Sequence, residues 1–283
     1  MKNNNLTPYL QVTPLVVVLI LFTIVPLALV VVVSLFRYQV LVGLVPAVTL
    51  QNYVDLLVNP TTWRLYLSTI KFALIVLAIT FVLGFWIAYF LVFHVRNLLT
   101  AIGLFLVCTV PFWTSNIIRM ISWRPILGKE GLINSALLGV GVVDRPVEWL
   151  LFSDFAVVVA YVHLYTLFMI VPIFNSMMRI DRSLLEAAED AGASAWQTLW
   201  SVIVPLSRTG ILIGSIFVIT IVMGDFVTVG VMGGQQIASV GKIIQVQTSY
   251  LQFPAAANSV ILLVAVLAII AVLTRLVDIR KEL

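Results

Sequence analysis

Six stretches of this chain are each long and apolar enough to cross a lipid bilayer, and that feature limits its fold more than any other. A helix needs about 20 mostly apolar residues to span a hydrocarbon core of roughly 30 Å. Leu15–Phe36, Phe72–Phe93, Leu98–Ile118, Phe155–Met178, Gly210–Met232 and Ala255–Thr274 reach that length, and only the fifth carries a formal charge, at Asp225. Composition agrees: 62% of residues are apolar and 10% charged, against about 45–50% and 25% in soluble domains. The mean hydropathy is +1.14. A soluble globular protein is excluded. Alternating apolar stretches of about ten residues, the mark of an outer-membrane barrel, are missing from the sequence. The sequence therefore predicts an all-α integral membrane protein with six transmembrane helices, forming one transmembrane domain over residues 1–283.

The flanks of the spans carry less information. Lys2 precedes the first span, but a 22-residue apolar run is too long for a signal-peptide core and no small-x-small site follows it, so it reads as a retained anchor. Sixteen Lys and Arg against twelve Asp and Glu leave a net charge of +4, too thinly spread for a nucleic-acid-binding face. The single cysteine, Cys108, can form neither an intrachain disulfide nor a cysteine metal cluster. With both termini inside, eight basic residues fall on each side of the membrane, so charge does not set the orientation. No G-x-x-x-x-G-K-[ST] phosphate loop and no H-E-x-x-H motif occurs. The sequence thus predicts no catalytic residues, no metal and no cofactor of its own.

The polar stretch between the fourth and fifth spans, about residues 179–209, is the most informative. Ser183 followed by Glu186 is a capping-box spacing. Leu184, Leu185, Ala187, Ala188 and Ala191 favour helix. Gly192 suits a sharp left-handed exit. A short rigid helix is expected here, followed by an amphipathic stretch, Trp196–Val204, that ends at Pro205.

Glu186-Ala187-Ala188, Gly192 and Val202-Ile203-Val204-Pro205 resemble the signature E-A-A-x3-G-x9-I-x-L-P of ABC importer permeases, with Val202 and Val204 in place of the usual Ile and Leu. Leu50, Asn52 and Tyr53 after the first span are similar to the T-L-x-N-Y segment of the spermidine/putrescine branch. So are Pro111-Phe112-Trp113, Arg119, Trp123, Leu127, Gly131 and Asn134, and the run Gly224-Asp225-Phe226-Val227 with Gly233-Gly234. The resemblance implies a type I ABC importer permease fold in the inner membrane, with N- and C-termini cytoplasmic. It implies a coupling helix that docks on an ATPase through Glu186, Ala187, Ala188, Gly192 and Pro205, with ATP held by that partner. The partners it implies are a second homologous permease, two ATPase subunits, a periplasmic substrate-binding protein and membrane lipid, with polyamines as the first substrate class.

An ionisable group in the bilayer normally faces a cavity or a partner, because lipid exposure costs about 2.5–3.5 kcal/mol on insertion scales. Asp225 and Phe226 are therefore candidates for the translocation pathway, as are Trp113 and Arg119 at the outer end of the third span. Asp225 reads either as a counter-charge for a cation or as a hydrogen-bonding element between helices. Trp123 reads as part of an interfacial belt. His163 reads as a neutral residue hydrogen-bonded across helices, or as half of a proton pathway with Asp225 in an ion-coupled secondary transporter. Gly210 and Gly214, four apart, permit close helix packing.

Overall fold

The structure, a computed structural model, describes residues 6–39, 43–234, 236–250 and 254–276. Lys2, Arg280 and Lys281, which enter the orientation argument, lie outside them. In chain order, α1 (Leu6–Leu19) continues through a π turn at Ile20–Ile24 into α2 (Val25–Ser34), and a hairpin of β1 (Phe36–Gln39) and β2 (Gly43–Val48) follows. Then come α3 (Gln51–Val58), α4 (Pro60–Tyr89) with a π turn at Phe90–His94, and α5 (Leu98–Thr109) with a 3-10 turn at Val110–Trp113. The short helices α6 (Asn116–Ile121), α7 (Arg124–Leu127) and α8 (Leu132–Gly139) lead to a 3-10 turn at Glu148–Leu150 and the long α9 (Asp154–Met177). α10 (Arg182–Asp190), α11 (Ala195–Thr198), a π turn at Leu199–Ile203 and α12 (Val204–Leu206) form the polar loop. α13 (Arg208–Gly224), α14 (Val227–Met232), α15 (Val240–Ser249) and α16 (Pro254–Leu276) complete the fold.

Among the described residues, four helical runs are long and apolar enough to span a membrane: Gln11–Ser34, Pro60–His94, Glu148–Met177 and Pro254–Arg275. Two more qualify only as bent pairs. These are Leu99–Trp113 with Asn116–Gly139, bent by 93°, and Ala195–Leu206 with Arg208–Gly224, bent by 65°. The third expected span, Leu98–Ile118, is therefore interrupted: Pro111 opens a 3-10 turn and Thr114 is extended. The fifth, Gly210–Met232, stops being helical at Asp225, whose backbone is extended. Hydropathy sums over a window and cannot register a two-residue break whose flanks are both apolar.

Two of the π turns have a local cause. Pro26 and Pro205 lack an N–H, and their rings crowd the carbonyls four residues back, at Phe22 and Ser201. Both of those residues lie inside π turns, whose wider ring relieves the crowding.

The chain divides into two compact units, residues 1–63 with 243–264, and residues 64–242 with 265–283. In the first, Asn52 is buried and its Nδ2 donates to the carbonyls of Ser34 (2.8 Å) and Phe36 (2.9 Å). The Tyr53 hydroxyl shares a 2.5 Å hydrogen bond with Ser34 Oγ. Asn52 and Tyr53 thus satisfy the polar groups left open where the first span ends. In the hairpin of this unit Phe36, the last residue of the first apolar stretch, pairs with Val48 and Arg37 with Val45 across an irregular register.

In the second unit α9 is the central element. Met169 is fully buried, and glycines let helices close on it from two sides. A Cβ on Gly84 of α4 would lie 2.8 Å from Met169 Cγ, and one on Gly214 of α13 would lie 2.7 Å from Met169 Sδ. At Gly210 the approach is to backbone, 2.4 Å from the Pro172 carbonyl oxygen. The Gly210/Gly214 spacing is thus the seam of the α9–α13 pair. Asn134, fully buried, donates to the carbonyls of Gly128 and Val147 and accepts from Val147 N–H, holding the segment beyond α8 in place.

Candidate functional site

The polar loop is built by three caps. Asp181 opens α10: its Oδ1 accepts the Ser183 N–H at 3.0 Å, and that bond holds its carboxyl below the usual carboxylate range. A carboxyl with a lowered pKa keeps its cap above the ordinary carboxylate range and loses it only as pH falls through the lowered value. The cap is therefore intact at neutral pH. The capping box expected at Ser183–Glu186 does not form, because the helix starts at Arg182 and Ser183 already lies in its first turn. The box forms instead one helix later, where Ser194 Oγ accepts the Gln197 N–H (3.3 Å) and Gln197 Oε1 accepts the Ser194 N–H (2.7 Å). The pattern S-x-x-Q at 194–197 is readable in the sequence; the stronger Asp181 cap, directly after the fourth span, is not flagged by a Ser/Glu search.

At the other end of α10, Gly192 has φ +80°. Its N–H donates to the Glu189 carbonyl (2.8 Å) and Ala193 N–H donates to that of Ala188 (2.9 Å), the paired bonds of a Schellman motif. The expected left-handed exit is there. Glu186 and Ala187 are exposed, Ala188 is half-buried, and Leu184 is 46% exposed. Pro205 is exposed and sits inside α12. A groove of about 280 Å³ runs between Glu186, Arg182 and Leu185 of α10 and Tyr89, Phe93 and His94 at the end of the second span. A larger cleft of about 660 Å³ is lined by Asp181 and Leu184 together with Asn175, Arg179, Thr209 and Phe217. α10 thus contributes side chains to a cavity that is also lined by the C-terminal end of α9 and the N-terminal part of α13.

The second cluster surrounds the break after α13. Asp225 makes four side-chain hydrogen bonds. Oδ1 accepts the N–H groups of Val227 (2.7 Å) and Thr228 (3.0 Å), capping the free start of α14. Oδ2 accepts the hydroxyls of Thr228 (2.5 Å) and Tyr165. The Tyr161 hydroxyl reaches the Asp225 carbonyl at 3.4 Å. Tyr161 and Tyr165, one helical turn apart on α9, stack at 5.6 Å and are both buried. Neither was singled out from sequence, since a tyrosine in an apolar run carries no signal until its partner across the bundle is known.

Arg119 is also buried; its Nη2 donates to Asn116 Oδ1, and its Nε–H has no partner among the described residues. It makes no ion pair with Asp225 among the described residues. Trp113 is 87% exposed and Phe226 40% exposed. Phe112 meets Phe168 edge-on at 5.6 Å, and Phe168 in turn meets Tyr165 and Phe217, each at 6.2 Å. Trp123 Nε1–H donates to His163 Nδ1 at 3.0 Å, so the imidazole acts as an acceptor across helices. No hydrogen bond joins His163 to Asp225 among the described residues, and the proton pathway considered from sequence has no such link.

The bonds around Asp225 assign it a load that a variant can measure. Asp225→Ala removes an N-cap, at about 1 kcal/mol, and hydrogen bonds to a charged group, at about 1.5–3 kcal/mol. The purified protein is expected to lose roughly 2–4 kcal/mol of stability. Asp225→Asn, which keeps one acceptor for the α14 N–H groups, is expected to lose less than half of that. Thermal melting in detergent reads both; equal melting of Asp225→Ala and the unsubstituted protein would show that the cap carries no load.

The family model described as "Binding-protein-dependent transport system inner membrane component" matches residues 80–280. The spermidine/putrescine transport system permease protein PotB of Escherichia coli (strain K12) is 38% identical over 202 residues, covering 70% of this chain and 71% of that protein. PotB of Haemophilus influenzae is 32% identical over 198 residues, covering 70% and 68%. A bacterial alginate ABC transporter, crystallised with an alginate pentasaccharide-bound periplasmic protein, superposes with a TM-score of 0.78 over 95% of this chain and 93% of that one, at 16% identity. That likeness is one of fold.

Proposed function

The chain belongs to the family of inner membrane components of binding-protein-dependent transport systems, and on that premise we propose that it is the polyamine-conducting permease subunit of an ATP-driven importer. It is a multi-pass inner-membrane protein and a pore subunit rather than an enzyme. The observation that carries the proposal is the 38% identity with PotB across 70% of the chain, joined to a rigid exposed helix in the polar loop. Putrescine and spermidine enter as substrates through those relatives.

In this reading the bent run Leu99–Gly139 and the run from Arg208 onward each supply one span, which would make six, with both termini on the cytoplasmic side with α10. A second permease subunit, two ATPases and a periplasmic binding protein complete the importer. Closure of the ATPases would press on Glu186, Ala187 and Ala188. The Asp181 cap at one end and the Gly192 motif at the other keep α10 stiff enough to transmit that movement. Asp181 and Leu184 line the same cleft as Asn175, Thr209 and Phe217, so a shift of α10 would reshape the inner end of the α9–α13 pair. This is a two-state change biased by nucleotide.

The test is co-expression with the neighbouring subunits, co-purification, and ATPase activity in lipid vesicles with the binding protein and putrescine or spermidine. Polyamine stimulation is the expected result. An associated ATPase with no polyamine response would remove the substrate assignment and leave the importer. No associated ATPase at all would remove both.

A further inference from the structure

The segment that returns from the polar loop to the fifth span carries two large exposed rings. Trp196 and Trp200 are 60% and 54% exposed and meet edge-on at 5.6 Å. Thr198, Leu199 and Ile203 of the same segment are buried, so one side of it is already packed. The capping box of Ser194 and Gln197 fixes its backbone from Ala195 onward. Neither indole N–H has a hydrogen-bond partner among the described residues. An indole combines a large apolar body with one polar donor, and here both parts are left without a protein partner.

The level at which the pair sits follows from two spans. The apolar run of α9 closes at Met177. Ser176 Oγ donates to the Leu206 carbonyl at 3.4 Å, so the start of α13 lies level with the end of α9. Ala195–Leu206 meets Arg208–Gly224 at 65°. At about 1.5 Å per residue along a helix inclined by that angle, Trp200 lies about 4 Å and Trp196 about 7 Å from Ser207, measured along the α13 axis on the loop side. The headgroup layer beyond a hydrocarbon core of about 30 Å is about 5–8 Å deep on each side, so both rings fall within it. A straight continuation of α13 would have carried Trp196 about 16 Å out, into water. Leu206 (42%) and Met178 (47%) are exposed where the two apolar runs end, and they continue the apolar surface toward the bilayer.

We propose that Trp196 and Trp200 anchor this returning segment in the headgroup layer of the bilayer, with their rings against the upper acyl chains and their N–H groups on lipid oxygens. That layer is where tryptophan is enriched in membrane proteins. Arg179 and Arg208, at the end of α9 and the start of α13, are exposed and set positive charge at the level of the lipid phosphates. The anchor begins four residues after Gly192, so lipid holds the polar loop just beyond the end of α10. The lipid contact follows from α13 crossing the membrane and stands apart from the importer reading. Its consequence, a lever helix with one end held, rests on that reading.

The experiment places the chain, with its co-purified subunits, in vesicles of phosphatidylethanolamine and phosphatidylglycerol brominated either high on the acyl chain or near its end. The chain has seven tryptophans, so the pair is read as the difference in emission between the unsubstituted protein and Trp196→Phe/Trp200→Phe. That difference is expected to be quenched at least roughly twofold more by the high bromines than by the deep ones. Quenching by neither, as for rings in water or under a partner subunit, would overturn the contact, and so would stronger quenching by the deep bromines. A second arm reads the load on the anchor. Trp196→Ser/Trp200→Ser is expected to co-purify normally and to lose at least roughly threefold in substrate-stimulated ATP hydrolysis. Trp196→Tyr/Trp200→Tyr is expected to restore most of it, because tyrosine shares the interfacial preference. Full turnover by the serine pair would overturn the anchor. A lack of ATP hydrolysis by the unsubstituted complex would count against the importer reading, whereas the lipid contact is judged by quenching alone.

Discussion

Replacing Gly192 with proline is expected to abolish substrate-stimulated ATP hydrolysis and uptake while leaving the permease able to co-purify with its ATPase. Gly192 has φ +80°, and proline is held near −65°. Gly192→Pro also removes the N–H that bonds to the Glu189 carbonyl. With that bond and the Ala193–Ala188 bond both lost, the last turn of α10 unwinds and the helix no longer transmits displacement along its length. Gly192→Pro loses that hydrogen bond, about 0.5–1.5 kcal/mol, and cannot adopt the left-handed backbone at all, so it costs more than the about 1–2 kcal/mol of Gly192→Ala, where only the left-handed penalty applies. Graded activity is therefore expected: near-complete loss for Gly192→Pro and partial loss for Gly192→Ala. A fall of at least roughly tenfold in stimulated turnover is the expected reading for Gly192→Pro, which corresponds to about 1.4 kcal/mol in the activation barrier. Normal uptake by that variant would remove α10 as the lever.

Gly210→Val is expected to have the largest effect on the bundle itself. The added Cβ would lie 2.4 Å from the Pro172 carbonyl oxygen, 2.9 Å from its carbonyl carbon and 2.7 Å from Ser176 Cβ. Two of those three atoms are helix backbone and cannot swing aside, so α13 and α9 have to separate. Overpacking of a well-fitted interface costs about 1–3 kcal/mol, and a clash with backbone belongs at the upper end. At about 2–4 °C per kcal/mol for a chain of this size, the melting temperature in detergent should fall by roughly 6–12 °C. Gly103→Ala in α5 is the control, because nothing lies within 4 Å of a Cβ built there. Alanine is favoured over glycine inside a helix by about 1 kcal/mol, so that variant should melt at the same temperature or slightly higher. Equal melting of Gly210→Val and the unsubstituted protein would show that the α9–α13 seam opens without cost.

Asp225 and Arg119 show where sequence reasoning stops. A lone acid in a span announces that something must solvate it, but not what. The donors turn out to be two N–H groups from the next turn of its own chain and two hydroxyls, one of them from Tyr165, sixty residues earlier in the chain. Trp113 and Arg119 both read from sequence as candidates for the translocation pathway, yet the structure buries Arg119 and leaves Trp113 87% exposed. The break between them, at Thr114 and Ser115, turns the two side chains into different surroundings.

By itself, the sequence determined the membrane class, the helical character of the apolar stretches, the rigid helix of the polar loop and its left-handed exit at Gly192. Each of these follows from interactions within about twenty residues: transfer of apolar side chains, capping of free N–H groups, and the conformational freedom of one glycine. Only the tertiary structure decided that the fifth span breaks at Asp225 and that α9 is gripped through Gly84, Gly210 and Gly214. Those features depend on which helices meet and in what rotation. In a chain that is 62% apolar, every span looks alike to hydropathy, and the difference between a face that packs and a face that is open lies in partners far along the chain.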